Sequence, residues 1–322
     1  SKIINKFKFK KVIHQFFPID NNFIVKKFIN HWKPSKVFFI DSEIWPNTIL
    51  NLKKSKISLI LINARITKKT FQRWIFFKKF AKKIFSSFDI CLSSNKETKR
   101  YLKILKANNI KYFGNLKFIE PKEKKIDVDL KLKMLFKNKK VWCASSTHKS
   151  EEITCGKAHL KLKKKFKNLL TIIIPRHVER SSEIKNDLEK LKLNVHMHET
   201  DKKISNQIDI YLVNSYGLTK VFFNNCKNVF LGGSLIKHGG QNPLEAVRYG
   251  CNILHGVNVF NFSEIYQFLK KNKISKRINN QNDLIYNLNK LLSKKNNNNK
   301  IQKKLKTIGK KILNKTYEEI KF

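Results

Sequence analysis

At 322 residues the chain is long enough for two domains of ordinary size, and an apolar content of 41% can supply a core to each. No run approaches the ~18 apolar residues of a spanning helix, no secretory leader is visible, and five cysteines without CxxC spacing exclude a disulfide scaffold in favour of reduced, buried thiols. A formal charge of +46 invites a nucleic-acid reading, yet the lysines are dispersed and run with asparagine, as in "KKNNNNK" at Lys294 to Lys300, a pattern of compositional drift rather than of one cationic stripe.

The chain opens on Ser1 and enters without a clear start, so an incomplete N-terminus is expected. Short β-branched and aromatic runs then recur: "KVFFI" (36–40), "ISLILI" (57–62), "DICLS" (89–93) and "IKYFG" (110–114). Within this series "FQRWIFFKKFAKKIFSSF" (71–88) predicts one helix with a wide apolar arc. It reads as a core helix carrying a solvated lysine stripe, with an interfacial helix on anionic lipid as the alternative. Residues 119–140 are charged, carry Pro121 and lack a strong period, which places a domain link at 121–139.

A second series follows: "KVWCA" (140–144), "LLTIII" (169–174), "LNVHM" (193–197), "IDIYLV" (208–213), "NVFLG" (228–232) and "NILHG" (252–256). Continuous apolar runs alternating with helical segments predict an α/β protein with parallel sheets covered on both faces. The domains are expected at 1–120 and 140–300, with a C-terminal helix over 301–322. Two such domains facing each other would leave a cleft at the carboxyl ends of their strands. His196 and His198 in "VHMH" read as strand histidines, since no third metal partner is near them in sequence.

Gly232, Gly233, Gly239 and Gly240 lie within nine residues, in a chain of only ten glycines. Asn242, Pro243 and Glu245 follow as helix cap, first helical residue and third-position acid. A glycine loop between strand and helix suits a phosphate held by backbone N–H groups, although Glu245 could equally serve only the cap. "CASSTHKSEE" (143–152) places Ser145, Ser146, Thr147 and His148 after a strand, and "IIIPRHVER" (172–180) ends another with Pro175, Arg176 and His177. Arg176 is a candidate phosphate fork, or else an ion-pair partner of Glu179 or Glu183. In the first half "DSEIWPN" (41–47), "INARI" (62–66) and "GNLKF" (114–118) also follow strands, which makes Glu43, Asn63, Arg65, Asn115 and Lys117 candidates for the opposite wall.

Taken in chain order, from "DSEIWPN" to "GGSLIKHGGQNPLEA", these six motifs resemble the 3-deoxy-D-manno-octulosonic acid (Kdo) transferases of lipopolysaccharide synthesis, over about Phe17 to Phe262. The resemblance implies a GT-B fold of two Rossmann-like domains, the first truncated. It implies Kdo transfer from CMP-Kdo to a lipid A precursor (lipid IVA), with inversion, no metal and no cofactor, on the cytoplasmic face of an anionic bacterial inner membrane. By the same resemblance Pro175, Arg176, Tyr216, Gly217, Leu218, Asn242, Pro243, Leu244 and Glu245 hold CMP, while Glu43 and Lys117 assist the transition state. Leu218 stands where the family usually has glutamate, and Asp41 where glutamate is commoner. The family's general base is a glutamate near the start of its first domain, and no glutamate precedes Glu43 here. The chain as given is therefore expected to lack about a quarter of the family's length and to show little or no transferase activity. The alternatives are a GT-B transferase using another nucleotide sugar and, from a different class, a basic nucleic-acid-binding protein.

Overall fold

The computed structural model describes residues 11–119, 130–137, 139–198, 205, 207–294 and 299–321. The first ten residues, and most of the link expected at 121–139, lie outside the described residues. The chain divides into two compact units, Ser1–Ile119 with Gly309–Phe322, and Glu120–Ile308.

Unit 1 begins with α1 (Asn22–Trp32), β1 (Lys36–Ile40), α2 (Pro46–Lys54) and β2 (Ser58–Ala64). It continues through α3 (Lys68–Phe76), α4 (Lys78–Phe85), β3 (Ile90–Ser93), α5 (Lys96–Ile104) and β4 (Ile110–Lys111). Its four strands are parallel and in sequence order. Almost every residue of β2 is buried, as a parallel strand covered on both faces requires. Ile49 and Leu52 of α2 and Ile84 and Phe85 of α4 pack with it, and Phe39 meets Phe88 edge to face at 5.6 Å.

The single helix predicted over Phe71–Phe88 is two. Phe77 leaves helical geometry (φ −105°, ψ 51°), and its N–H turns to the Trp74 carbonyl at 3.2 Å. In a straight helix the eleven residues from Trp74 to Phe85 would rise about 16 Å. The break brings the two rings to 5.3 Å, so packing of the half-buried Trp74 on the buried Phe85 outweighs helix continuity. It leaves Phe76 and Phe77 82% and 62% exposed at the corner.

Unit 2 opens with α6 (Leu130–Lys137), a helix within the stretch expected to be an irregular link. Then come β5 (Lys140–Thr147), α7 (Glu151–Lys163), β6 (Leu169–Pro175), α8 (Ser181–Lys190), β7 (Val195–Met197) and β8 (Ile210–Leu212). After these come α9 (Thr219–Asn225), β9 (Asn228–Leu231), α10 (Leu244–Arg248), β10 (Asn252–His255), α11 (Ser263–Lys271), β11 (Ser275–Arg277), α12 (Gln281–Leu292) and α13 (Asn299–Ile320). Strand β11, with only Ser275 buried, has too little apolar pattern to be visible in sequence. The parallel strands lie in the order β11-β10-β9-β5-β6-β8-β7. Trp142, Phe230, Ile173 and Leu188 are fully buried among them, at about 1.5–3 kcal/mol for each large apolar side chain removed from water. All five cysteines are buried and unpaired.

Candidate functional site

In unit 2 the chain runs from β5 outward through β6 to β7 and β8, then crosses back to lay β9 on the other side of β5. That reversal is a topological switch point, where the loops leaving β5 and β9 part and open α/β sheets take their ligands. Because the pairs are parallel, the segments following β9, β5, β6 and β8 share one edge.

Strand β5 extends three residues beyond the predicted end, so Ser145, Ser146 and Thr147 belong to it rather than to a loop. Its register against β6 slips between Ser145 and Thr147, with Ser146 at φ 56°. Such a bulge re-aims the residues that follow. Beside it the Gly232 N–H donates to the Ser145 carbonyl at 2.9 Å. A Cβ on Gly232 would stand 2.5 Å from the Ser146 oxygen and 2.6 Å from the Thr147 Cα. The backbone of β5 itself is what the first glycine must approach.

The backbone donors beyond it are also occupied from within. Glu151, the first residue of α7, is 1% exposed. Its carboxylate accepts from the N–H groups of Gly233 (2.7 Å), Leu235 (3.0 Å), Ser234 (3.2 Å) and its own neighbour His148 (3.0 Å). The loop does form an anion-binding nest, and the anion is Glu151. This corrects the expectation that these amides await a phosphate. The second glycine pair, Gly239 (φ 104°) and Gly240 (φ 75°), packs against Phe260, Asn261 and Val259.

Three histidines gather above Glu151. The His148 ring lies 4.2 Å from that of His238 and 5.9 Å from that of His177, centroid to centroid. His148 is 8% exposed, and its Nδ1 faces the Ser146 carbonyl at 3.2 Å. Burial and the neighbouring His238 and His177 hold its pKa below the usual imidazole value, against the pull of Ser146 and Glu151. The Nε2 of His148 is buried and has no hydrogen-bond partner.

Pro175, buried, closes β6 opposite Thr147, and the Arg176 N–H donates to the Thr147 carbonyl at 2.9 Å. Glu179 accepts from the Tyr216 hydroxyl at 2.8 Å, and Glu183 pairs with Arg180 (3.3 Å) and Lys149 (3.5 Å). Neither acid is left for Arg176, whose side chain is exposed. Glu152, raised by burial despite its partner, is tied to Arg180 at 3.1 Å. Tyr216 and Gly217 are exposed and Leu218 half-buried at the start of α9.

The Asn242 region differs from its expected form. Asn242 does accept from the Leu244 N–H at 3.1 Å, but α10 has only five residues, too short for a macrodipole of consequence. Glu245 does not close a capping box. It takes the Thr219 hydroxyl at 3.3 Å, with Lys220 at 4.0 Å. Pro243 and Leu244 are buried, so they shape the turn and could offer a ligand only backbone. Tyr216–Glu179, Thr219–Glu245 and His148 between His177 and His238 thus join all four segments.

In unit 1, Asn63 (φ 54°) holds two loops together: its amide donates to Asp41 and its carbonyl accepts from the Leu116 N–H at 3.0 Å. Glu43, exposed, takes the Trp45 indole N–H at 2.9 Å, and Lys117 is half-buried in a turn fixed by Asn115. Glu43 and Lys117 therefore flank one sheet edge of this unit. Among the described residues no group of three His, Cys, Asp or Glu side chains is placed to hold a metal ion.

The family described as 3-deoxy-D-manno-octulosonic-acid transferase (kdotransferase) matches residues 1–120. A 3-deoxy-D-manno-octulosonic acid transferase of Rickettsia bellii is 32% identical, over 92% of this chain and 71% of that protein. The chain belongs to the Kdo transferase family. A second such transferase, from Rickettsia typhi, is 32% identical over 305 residues, and the chain spans 64% of its length. Among solved structures, the UDP-GlcNAc 2-epimerase of Neisseria meningitidis, bound to UDP-GlcNAc, superposes with a TM-score of 0.55 at 14% identity, covering 89% of this chain and 74% of that one. That likeness shows the fold alone, which is of the GT-B type. Pattern reasoning missed Glu151 as the holder of the Kdo transferase loop, although the acid pair "EE" was a signal in a chain with only 23 Asp and Glu.

Proposed function

We propose that the protein is an inverting glycosyltransferase that moves Kdo from CMP-Kdo to a lipid A precursor, without metal or cofactor. The observation that carries the donor side is the exposed Arg176 guanidinium, which has no ion-pair partner among the described residues and is set at the switch-point edge beside Tyr216 and the three histidines, where the local acids are already engaged. A guanidinium in that position offers two parallel N–H groups to a phosphate. Family membership supports CMP as the nucleotide. Arg176 and Pro175 would position the phosphate, with Tyr216, Gly217, Leu218 and the Asn242–Glu245 turn around the nucleoside. Glu43 and Lys117 would act on the transferred sugar. As CMP leaves, fixed cationic side chains stabilise the charge it carries, and a carboxylate base takes the acceptor proton.

The acceptor being a lipid, the working location is the anionic cytoplasmic surface of the inner membrane. Phe76 and Phe77, exposed at the α3–α4 corner among lysines, suit that surface. Calorimetric titration of the chain with CMP and with UDP tests the donor. CMP is expected to bind and UDP not, and Arg176→Ala is expected to weaken CMP by about tenfold or more. Equal binding of both nucleotides would favour a transferase for another nucleotide sugar.

A further inference from the structure

The three histidines were absorbed by none of the roles above. Their geometry poses a specific problem: a nine-tenths buried imidazole has one nitrogen facing a carbonyl and the other facing nothing. An orphaned buried polar atom is costly, and in a native protein it calls for an explanation such as a catalytic role or a bound water or ion. Since Nδ1 faces the Ser146 oxygen it carries the proton in the neutral ring, so Nε2 presents a lone pair.

Resting on the donor reading above, we propose that His148, flanked by His177 and His238, is a proton-coupled subsite for the phosphate of a nucleoside monophosphate. The Nε2 lone pair takes a proton from solvent as the phosphate docks, and the new N–H donates to a phosphate oxygen; no bond in the ligand is made or broken. The surroundings fit this assignment. The amides of residues 233–235 cannot serve the phosphate, because Glu151 occupies them. Around the ring, His177 follows β6, His238 lies in the β9 loop, Glu151 lies below on α7, and Lys149 is held by Glu183. Arg176 adjoins His177. The acid that bears on the His148 ring is Glu151, which already accepts four N–H bonds, while Glu152, Glu179 and Glu183 are engaged by Arg180, Tyr216 and Lys149, so an arriving dianion supplies the charge that favours imidazolium. The rings of His177 and His238 pack against that of His148, and both residues are exposed and able to change rotamer on a fast timescale.

Titration calorimetry near pH 7, repeated in buffers of different ionisation enthalpy, counts the protons taken up with each ligand. CMP and inorganic phosphate are expected to bind with more proton uptake to the parent chain than to His148→Gln. Cytidine, lacking phosphate, is expected to show no such difference. Comparison with the variant matters because the phosphate itself exchanges a proton in this range. If CMP binds with the same proton count to both proteins, the subsite is refuted and the donor reading stands. If only inorganic phosphate binds, with extra uptake, the subsite stands and the nucleotide reading falls. Absence of binding by either overturns both. Should His148→Gln fail to fold, the imidazole Cε1–H resonance of His148 in the parent chain decides: its titration midpoint must move upward on adding CMP, and an unmoved midpoint refutes the proposal.

Discussion

Replacing Gly232 by alanine would put a methyl group where the Ser146 oxygen and Thr147 Cα already stand, both of them backbone that cannot swing aside. The expected cost is about 1–3 kcal/mol, read as a lower denaturation midpoint at unchanged m-value. Glu151→Gln would set an amide NH2 among four N–H donors, and a comparable loss is expected from the buried groups left unpaired. Asp209 is a second buried acid. Burial alone would raise it, but His159 (3.2 Å), Lys163 and the Asn194 N–H (3.0 Å) hold it well below the usual carboxylate range. Its contribution is therefore present above the unfolded-state value near 4 and is lost as pH falls through the depressed native value. Asp209→Asn should cost about 3–5 kcal/mol at neutral pH, the gap to the parent chain narrowing in acid; a gap independent of pH would contradict this assignment. None of these roles was legible beforehand. Glu151 looks like any acid in a helix's first turn, and its partners lie more than eighty residues away. Asp20, which receives the N–H groups of Asn47 (3.0 Å) and Thr48 (2.7 Å) at the start of α2, is likewise distant from the helix it caps.

Elements were more legible than contacts. Strands β2, β5, β6 and β9 announced themselves because a strand buried on both faces must be continuously apolar, and the edge strand β1 because its run is equally apolar although only Phe39 is buried. The break at Phe77 did not, since no proline or glycine marks it and its cause is the tertiary meeting of Trp74 with Phe85. That corner carries its own prediction. Exchanging Phe76 and Phe77 together for serine should weaken binding to anionic phosphatidylglycerol vesicles at least tenfold, while leaving the buried Ala81, Ile84 and Phe85 contacts in place. Unchanged vesicle binding would remove the corner as a membrane contact. At the sheet edge, β1 pairs with β2 alone among the described residues and exposes Phe38 and Ile40. An edge of that kind recruits other chains, so Ile40→Lys should raise the concentration at which this chain begins to aggregate in light scattering.

At the scale of the whole molecule, helix α13 belongs to both units: Gly309 and the residues after it are counted with unit 1, those before with unit 2. Within unit 1 its Ile312 packs on Gly114, Gly309 lies against the Phe118 backbone, and Glu319 pairs with Lys111 at 2.5 Å. Ending the chain at residue 308 should therefore lower the unfolding temperature of unit 1 while sparing the core around Trp142, read by calorimetry as a downward shift of one of two transitions. Net charge acts on everything at once. With 69 Lys and Arg against 23 Asp and Glu, self-repulsion opposes the compact state. Moderate sodium chloride, by shortening the Debye length to about 8 Å at 0.15 M, should raise the melting temperature.

The carboxylate of Glu151 clasps residues 233–235. That stretch has no disorder to surrender when a guest arrives, so its amides should exchange with deuterium slowly in the empty protein and no more slowly in the occupied one. On the proposed donor reading, adaptation to the nucleotide would then fall to mobile side chains on a stationary frame, and the entropy lost on association should be small on the loop and concentrated in those rotamers.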